Sequence, residues 1–137
     1  MSKASDIAKE SRIIATCAAG PIIEIGFSGK HRDGCGNDLI RYVRQTVREL
    51  HPAGVMVNLS DFRYTWGDDI GALLFPLFEG QTGRLRPFCI VASGCTARSL
   101  KSLFELTKLP DLVNARYFDN ARDGLAYLRN ELGGDTV

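Results

Sequence analysis

The sequence predicts an α/β domain with a mostly parallel, mixed sheet and about four helices, in the order β-β-α-β-α-β-α-β-α. Three observations lead to this prediction. Short apolar runs of strand length alternate with amphipathic segments of helical period. Asn, Asp, Gly and Pro stand between them, where caps and turns are expected. Strands that alternate with helices after an opening hairpin indicate parallel pairing, because each helix carries the chain back across the sheet.

The first two predicted strands form the hairpin. Residues 13–17 are a short apolar run, and the Ala-Ala-Gly-Pro stretch at 18–21 suits a tight connection. Ile23, Ile25 and Phe27 then alternate with polar or small residues, which is the period of a strand with one covered face. We therefore expect an antiparallel pair at the start of the domain.

The first helix and the central strand follow. Asn37 or Asp38 can cap the helix, and its apolar positions share one face: Leu39, Val43, Val47 and Leu50. Residues 55–59 are nearly all apolar, as expected for a strand that is covered on both sides.

A second helix is predicted from apolar residues at helical spacing: Ile70, Leu73, Leu74, Leu77 and Phe78. Pro76 lies inside this pattern and lacks an amide hydrogen. We therefore expect a kink or a late helix start.

The last part of the chain repeats the strand and helix alternation. Residues 88–92 form an apolar strand, and the next helix spans 96–108, with Pro110 beyond it. Residues 116–118 form a short edge strand. Asn120 caps a final helix, which ends before the glycines at 133–134.

Composition narrows the function classes. One domain is expected over residues 1–137, with a core at about 12–132, and the formal net charge of +1 gives no field that attracts nucleic acid. No apolar run approaches the about 20 residues of a membrane helix, and no signal peptide is recognisable. The four cysteines are widely spaced and fit free thiols in a reducing cytoplasm. No spacing suggests a metal site or a cofactor motif.

The element order and two segments resemble the STAS family, the fold of the bacterial anti-sigma factor antagonists. Residues 55–60 with 70–74 are similar to the family's strand, Asp-Leu-Ser, loop and Gly-x-Leu-Leu helix. Residues 103–109 with 115–126 are similar to its Leu-Leu-Glu-Leu-Thr-Gly-Leu segment, short strand and final helix. The resemblance implies a non-enzymatic regulator in bacterial signal transduction that works by protein contact.

The chain departs from the family at the phosphorylation switch. Matching the two segments puts Gly67 at the phosphoacceptor position, and glycine has no hydroxyl. Asp68 and Asp69 follow, where they can cap the helix and complement its dipole. Their fixed charge also imitates in part a phosphorylated state. Ser60 and Thr65 are the nearest hydroxyls and are weaker candidates for modification.

The resemblance also implies the partners and their binding face. The partners would be an anti-sigma kinase, a phosphatase or another STAS protein, and a homodimer is compatible with the sequence. The predicted binding residues are Trp66, Gly67, Asp68, Asp69, Arg63 and Arg98. Trp66 is expected to be either an interface anchor or a lid on the core.

Cys95 supports an alternative from another class. A thiol at a helix start beside Arg98 could act as a nucleophile or help to bind an oxyanion. The Cys-x5-Arg spacing of a phosphate-binding loop is absent, because Lys101 stands six residues after Cys95. A third hypothesis is a small-molecule sensor with an apolar groove beside the second helix. Under the leading hypothesis, a non-enzymatic regulator, no catalytic residue is assigned.

Overall fold

The computed structural model describes residues 7–30, 36–64, 73–78, 86–107 and 115–133. Five strands form one sheet whose spatial order follows the chain: β1 (Ala8–Cys17), β2 (Gly20–Lys30), β3 (Gly54–Arg63), β4 (Phe88–Val91) and β5 (Arg116–Phe118). β1 and β2 pair antiparallel, and the other neighbours pair parallel. The predicted mixed, mostly parallel sheet with an opening hairpin is confirmed.

The described helices lie on both faces of this sheet. They are α1 (Gly36–Leu50), α2 (Gly94–Thr107) and α3 (Ala121–Glu131). α1 and α2 bury Leu39, Val43, Leu100 and Phe104 in one cluster, whereas Leu128 of α3 belongs to a second cluster. Crossovers of one hand between sequential parallel strands place their helices on one face. α3 follows the last described strand and therefore connects no two of the described strands. The rule does not apply to α3, which covers the opposite face of the sheet.

No helix in these ranges is long and apolar enough to cross a membrane.

The prediction of four helices is wrong for the described residues. In the segment expected to be the second helix, these residues form a 3-10 turn at Phe75–Leu77, with Pro76 in its first turn. Proline removes an α-helical hydrogen bond and is tolerated at the start of a short turn. Leu73, Leu74 and Leu77 are nevertheless buried, so the apolar spacing predicted burial correctly.

Two strands are longer than their apolar runs. β1 begins at Ala8, before the predicted run at 13–17, because its charged residues find partners: Lys9 lies 2.8 Å from Asp38, and Arg12 lies 2.9 Å from Glu24. β3 continues to Arg63, beyond the predicted end at residue 59.

The predicted limits of the last helix are confirmed. The side chain of Asn120 accepts a hydrogen bond from the Asp123 amide at 2.9 Å, and Gly133 ends the helix with a φ of +94°. A Cβ at Gly124 would stand 3.1 Å from both Cys89 Sγ and Met56 Cε. The missing side chain therefore lets α3 approach the sheet closely.

Candidate functional site

The carboxyl ends of the parallel strands form the candidate site. β3 pairs with β4 as far as Asn58. Among the described strands, its distal part pairs with β2 alone, through Asp61, Phe62 and Arg63. β4 ends at Val91, so the space beside the end of β3 is open to α2, which begins at Gly94. Ligand and partner sites of open α/β sheets gather at such edges.

A bulge in β3 shapes this edge. Gly26 of β2 pairs with Asn58 of β3, and the next paired residue of β2, Ser28, pairs with Asp61. One residue of β2 thus lies opposite two residues of β3, so β3 holds one extra residue. Leu59 and Phe62 are three positions apart and are both 2% exposed in the same core cluster, which a regular alternation would forbid. The extra residue keeps both side chains in the core and leaves the polar residues between them exposed.

Thr96 joins α2 to the end of β3. Its hydroxyl donates to the Phe62 carbonyl at 3.1 Å and accepts from the Tyr64 amide at 3.2 Å. A side chain of the helix thus supplies the hydrogen bonds that a neighbouring strand would give. The join fixes the start of α2 beside the point where the chain leaves β3.

The start of α2 is exposed. Gly94 has a φ of +61°, a conformation that glycine adopts without strain, and nothing stands within 4 Å of a Cβ added there. Cys95 is also exposed, and Arg98 Nη2 donates to its sulfur at 3.5 Å. No group of three His, Cys, Asp or Glu side chains able to hold a metal occurs among the described residues.

Cys89 differs from Cys95 in its exposure. It is fully buried, and its sulfur contacts the Gly124 carbonyl at 3.7 Å. Burial raises the pKa of Cys89 to about 12, because the thiolate would lose its hydration. This thiol is therefore part of the core, whereas Cys95 is accessible.

The structure describes some of the predicted binding residues and leaves out others. Arg63 and Arg98 are both exposed, at the end of β3 and in the first turns of α2. Trp66, Gly67, Asp68 and Asp69 lie outside the described residues, as does Thr65. The binding role of all these residues stays a prediction.

Ser60 is described, and its hydroxyl is already engaged. It donates to Asn58 Oδ1 at 2.7 Å, and the same oxygen accepts from the Ser60 amide at 3.0 Å. Asp61 is its neighbour on the exposed bulge. A phosphate on Ser60 would break this bond and add negative charge beside the Asp61 carboxylate, and modification of Ser60 stays a prediction.

Sequence reasoning missed a polar network on the face that α3 partly covers. The Asn58 amide donates to Glu24 at 2.7 Å, and Arg12 Nε donates to the other Glu24 oxygen at 2.9 Å. The network borders an open groove of about 200 Å3 with Gly26 in its lining. Two polar residues within apolar strands could have indicated the network, Glu24 in β2 and Asn58 in β3, because a buried polar group needs a hydrogen-bond partner.

The comparisons with known proteins concern the fold. No protein-family model matches the sequence, and no curated protein matches it. A solved crystal structure of an anti-sigma factor antagonist from Mycobacterium paratuberculosis matches it with a TM-score of 0.65. The match covers 93% of this chain and 97% of that chain, at 18% identity. The chain has the STAS fold. The STAS-like arrangement predicted from the two sequence segments is therefore confirmed.

Proposed function

We propose that the protein is a non-enzymatic regulatory domain of a bacterial cytoplasm that binds another protein, as an anti-sigma factor antagonist does. The observation that carries this proposal is the join between Thr96 and the end of β3. It brings two exposed segments, one ending at Arg63 and one starting at Gly94, into a single surface. The STAS fold and its match to an anti-sigma factor antagonist support the proposal.

The partner is a protein whose contact surface carries acidic groups opposite the two arginines and hydrogen-bond donors opposite Asp68 and Asp69, beside an apolar pocket. Arg63 and Arg98 supply exposed positive charge, which sets specificity and association rate more than affinity. Trp66, by its place in the sequence, would supply the apolar anchor. An anti-sigma kinase, a phosphatase or another STAS protein remains the proposed class of partner.

Binding would not be switched by phosphate at the usual place. Gly67 has no hydroxyl to accept it, and the hydroxyl of Ser60 is engaged by Asn58. Asp68 and Asp69 would provide fixed negative charge there, weaker than a phosphate. We therefore propose a partner contact that phosphorylation at this position does not regulate.

The thiol alternative keeps one observation in its favour. Cys95 is exposed, and Arg98 donates to its sulfur at 3.5 Å, so a positive charge stands beside an accessible thiol. The rate of Cys95 alkylation against pH tests it, with Arg98→Ala as the comparison. An alkylation profile that is the same with and without Arg98 would remove this alternative.

Capture from the native cells tests the regulatory proposal. The baits are the tagged wild-type protein and the Arg98→Glu, Asp68→Ala and Arg129→Glu variants. Arg129 is exposed in the last turn of α3, and Leu132 just after this turn lies beside Gly54 at the amino end of β3. The Arg129 reversal is therefore matched in charge and lies away from the site. We expect one partner held by the wild type and by Arg129→Glu, and lost with Arg98→Glu and Asp68→Ala.

Two results would contradict the proposal. A partner held equally by all four baits would place the contact elsewhere. If Trp66→Ala lowers stability and leaves partner affinity unchanged, Trp66 is part of the core. The proposal expects Trp66→Ala to weaken the complex by more than about 1 kcal/mol with folding intact.

A further inference from the structure

β1 forms a long open edge of the sheet. It is first in the strand order, and β2 lies on its one paired side in the described part of the chain. Every second residue of β1 therefore directs its backbone N–H and C=O groups away from the sheet. The strand has 10 residues and no proline, whereas β5 at the opposite edge has 3 residues. Such an edge can accept a further strand.

Glu10 and Arg12 alternate along this edge and share a face, because they are two positions apart in a strand. Arg12 donates to Glu24 through Nε, and its side chain remains 70% exposed, so most of its guanidinium stays accessible. Glu10 is exposed and has no ion pair with another described residue. One accessible cation and one accessible anion thus stand side by side.

We propose that a second copy of this chain pairs with β1, antiparallel, about a two-fold axis at Ser11. In this register Glu10 of each copy lies opposite Arg12 of the other, so the ion pair forms twice. Opposite charges directly across antiparallel strands stabilise the pairing, and like charges there destabilise it. The two sheets become continuous. This contact is separate from the partner surface proposed above, which lies at the carboxyl ends of β3 and β4.

The charge pattern selects this register over its neighbours. Moving the axis to Glu10 or to Arg12 sets two like charges opposite each other. An axis halfway between two residues is excluded, because it sets side chains that point to opposite faces of the sheet across from each other. The axis at Ser11 therefore satisfies both charges of each copy.

Ile13 adds an apolar contact in the same register. It is 54% exposed, which is high for a large aliphatic side chain. The register sets it opposite Lys9 of the second copy, whose methylene groups can cover it while the ammonium stays 2.8 Å from Asp38. The irregularity of β1 falls between Ile13 and Ala15, so the paired residues form the regular part of the strand.

The predicted dimer is weak. Pairing over residues 9–13 is small beside the roughly 1,200–2,000 Å2 that stable interfaces bury. Self-association should therefore depend on concentration, and a method that traps the pair is the suitable test.

Cross-linking through an engineered cysteine tests the register. Residues opposite each other on antiparallel strands have Cα atoms about 4.5–5.5 Å apart, within the range of a disulfide. Ser11→Cys places a thiol on the axis in both copies, in a protein whose Cys17, Cys35 and Cys95 are replaced by serine. The control is Thr16→Cys, which is exposed on the same strand but lies away from the axis. Mild oxidation should cross-link the Ser11→Cys protein at rising concentration, and the Thr16→Cys protein should form no disulfide-linked dimer.

Each other outcome overturns the proposal. Equal cross-linking of both proteins indicates random collision, and cross-linking of Thr16→Cys alone indicates another register. Absence of cross-linking from Ser11→Cys at high concentration excludes the pairing.

Charge reversal gives an independent measurement on the native cysteine background. Glu10→Arg should abolish the concentration dependence of the sedimentation coefficient, and Glu10→Gln should reduce it less. Thermal unfolding should be little changed by either substitution, because Glu10 is exposed. A Glu10→Arg protein that associates as the wild type does would overturn the proposal.

Discussion

The side-chain hydroxyl of Thr96, on α2, donates a hydrogen bond to the backbone carbonyl of Phe62, on β3, over 3.1 Å. The same oxygen accepts from the Tyr64 amide. Thr96→Val keeps the shape and removes both bonds, so we expect a loss of about 1–2 kcal/mol in the free energy of unfolding. Urea unfolding measures it. Thr96→Ser keeps the hydroxyl and should lose less, and equal losses for both substitutions would assign the effect to packing.

The network around Asn58 predicts an asymmetry between two substitutions. Asn58→Ala removes three hydrogen bonds, to Glu24 and to the amide and hydroxyl of Ser60, and should cost about 1–3 kcal/mol. Arg12→Ala removes an ion pair whose cation is 70% exposed, and should cost at most about 1 kcal/mol. The two unfolding curves, measured side by side, should separate. Equal costs would contradict this prediction, because the exposed ion pair of Arg12 would then contribute as much as the three hydrogen bonds of Asn58.

The contact between Gly124 and Cys89 predicts coupling between two core positions. Alanine at Gly124 would gain about 1 kcal/mol in helix propensity and lose about 1–3 kcal/mol by overpacking, because its Cβ meets Cys89 Sγ at 3.1 Å. We expect a net loss in the wild-type background. In a Cys89→Ala background the loss should shrink or become a gain, which a double-mutant cycle of unfolding free energies measures. Additive effects would show that Met56, whose Cε also lies at 3.1 Å, causes the strain.

The buried thiol of Cys89 predicts a loss of stability at alkaline pH. Burial raises its pKa from 9.0 to about 12, so above pH 9 the unfolded thiol loses its proton while the folded one keeps it. The unfolded state then binds fewer protons, and the free energy of unfolding falls as the pH rises. Burial also raises the pKa of the Tyr117 hydroxyl, with Glu105 adding to the shift, and this acts in the same direction above pH 10.

The Cys89→Ala variant isolates the contribution of the thiol. Its unfolding free energy should fall less steeply above pH 9 than that of the wild type, by up to about 1.4 kcal/mol per pH unit. The lower stability of the variant at neutral pH does not affect this comparison of slopes. Identical slopes would show that other groups cause the alkaline loss.

The sequence was sufficient to predict the helix faces and caps, because these depend on the spacing of residues within one element. The apolar face of α1 and the cap at Asn120 follow from spacing within one element. Leu39, Val43 and Val47 are buried, Leu50 packs against the core, and the cap is observed. The parallel order followed because helices separate the strands. The type of the turn at Pro76 was missed because apolar residues every three or four positions suit both an α-helix and a buried 3-10 turn.

The missed features depend on contacts between distant residues. In the sequence, Thr96 is an ordinary residue near a helix start, and its bond to Phe62 is known only when β3 is placed beside α2. The bulge after Asn58 is visible only in the pairing of β3 with β2. The length of β1 was hidden because its charged residues are satisfied by Asp38 and Glu24, from other elements. Of the candidate site, the sequence predicted its place at the strand ends, and the bonds that organise it could not be predicted.

The agreement between strand order and chain order has a consequence for biosynthesis. A nascent chain can add each of the five described strands to the edge of those already made, so none of the five waits for a partner encoded much later. The helices of the first face become available in the same order. Met56, Cys89 and Val91, on the second face, wait for α3. A ribosome-bound chain should therefore hold a nearly complete sheet with one apolar face exposed, and chaperone contact should be greatest just before α3 leaves the exit tunnel.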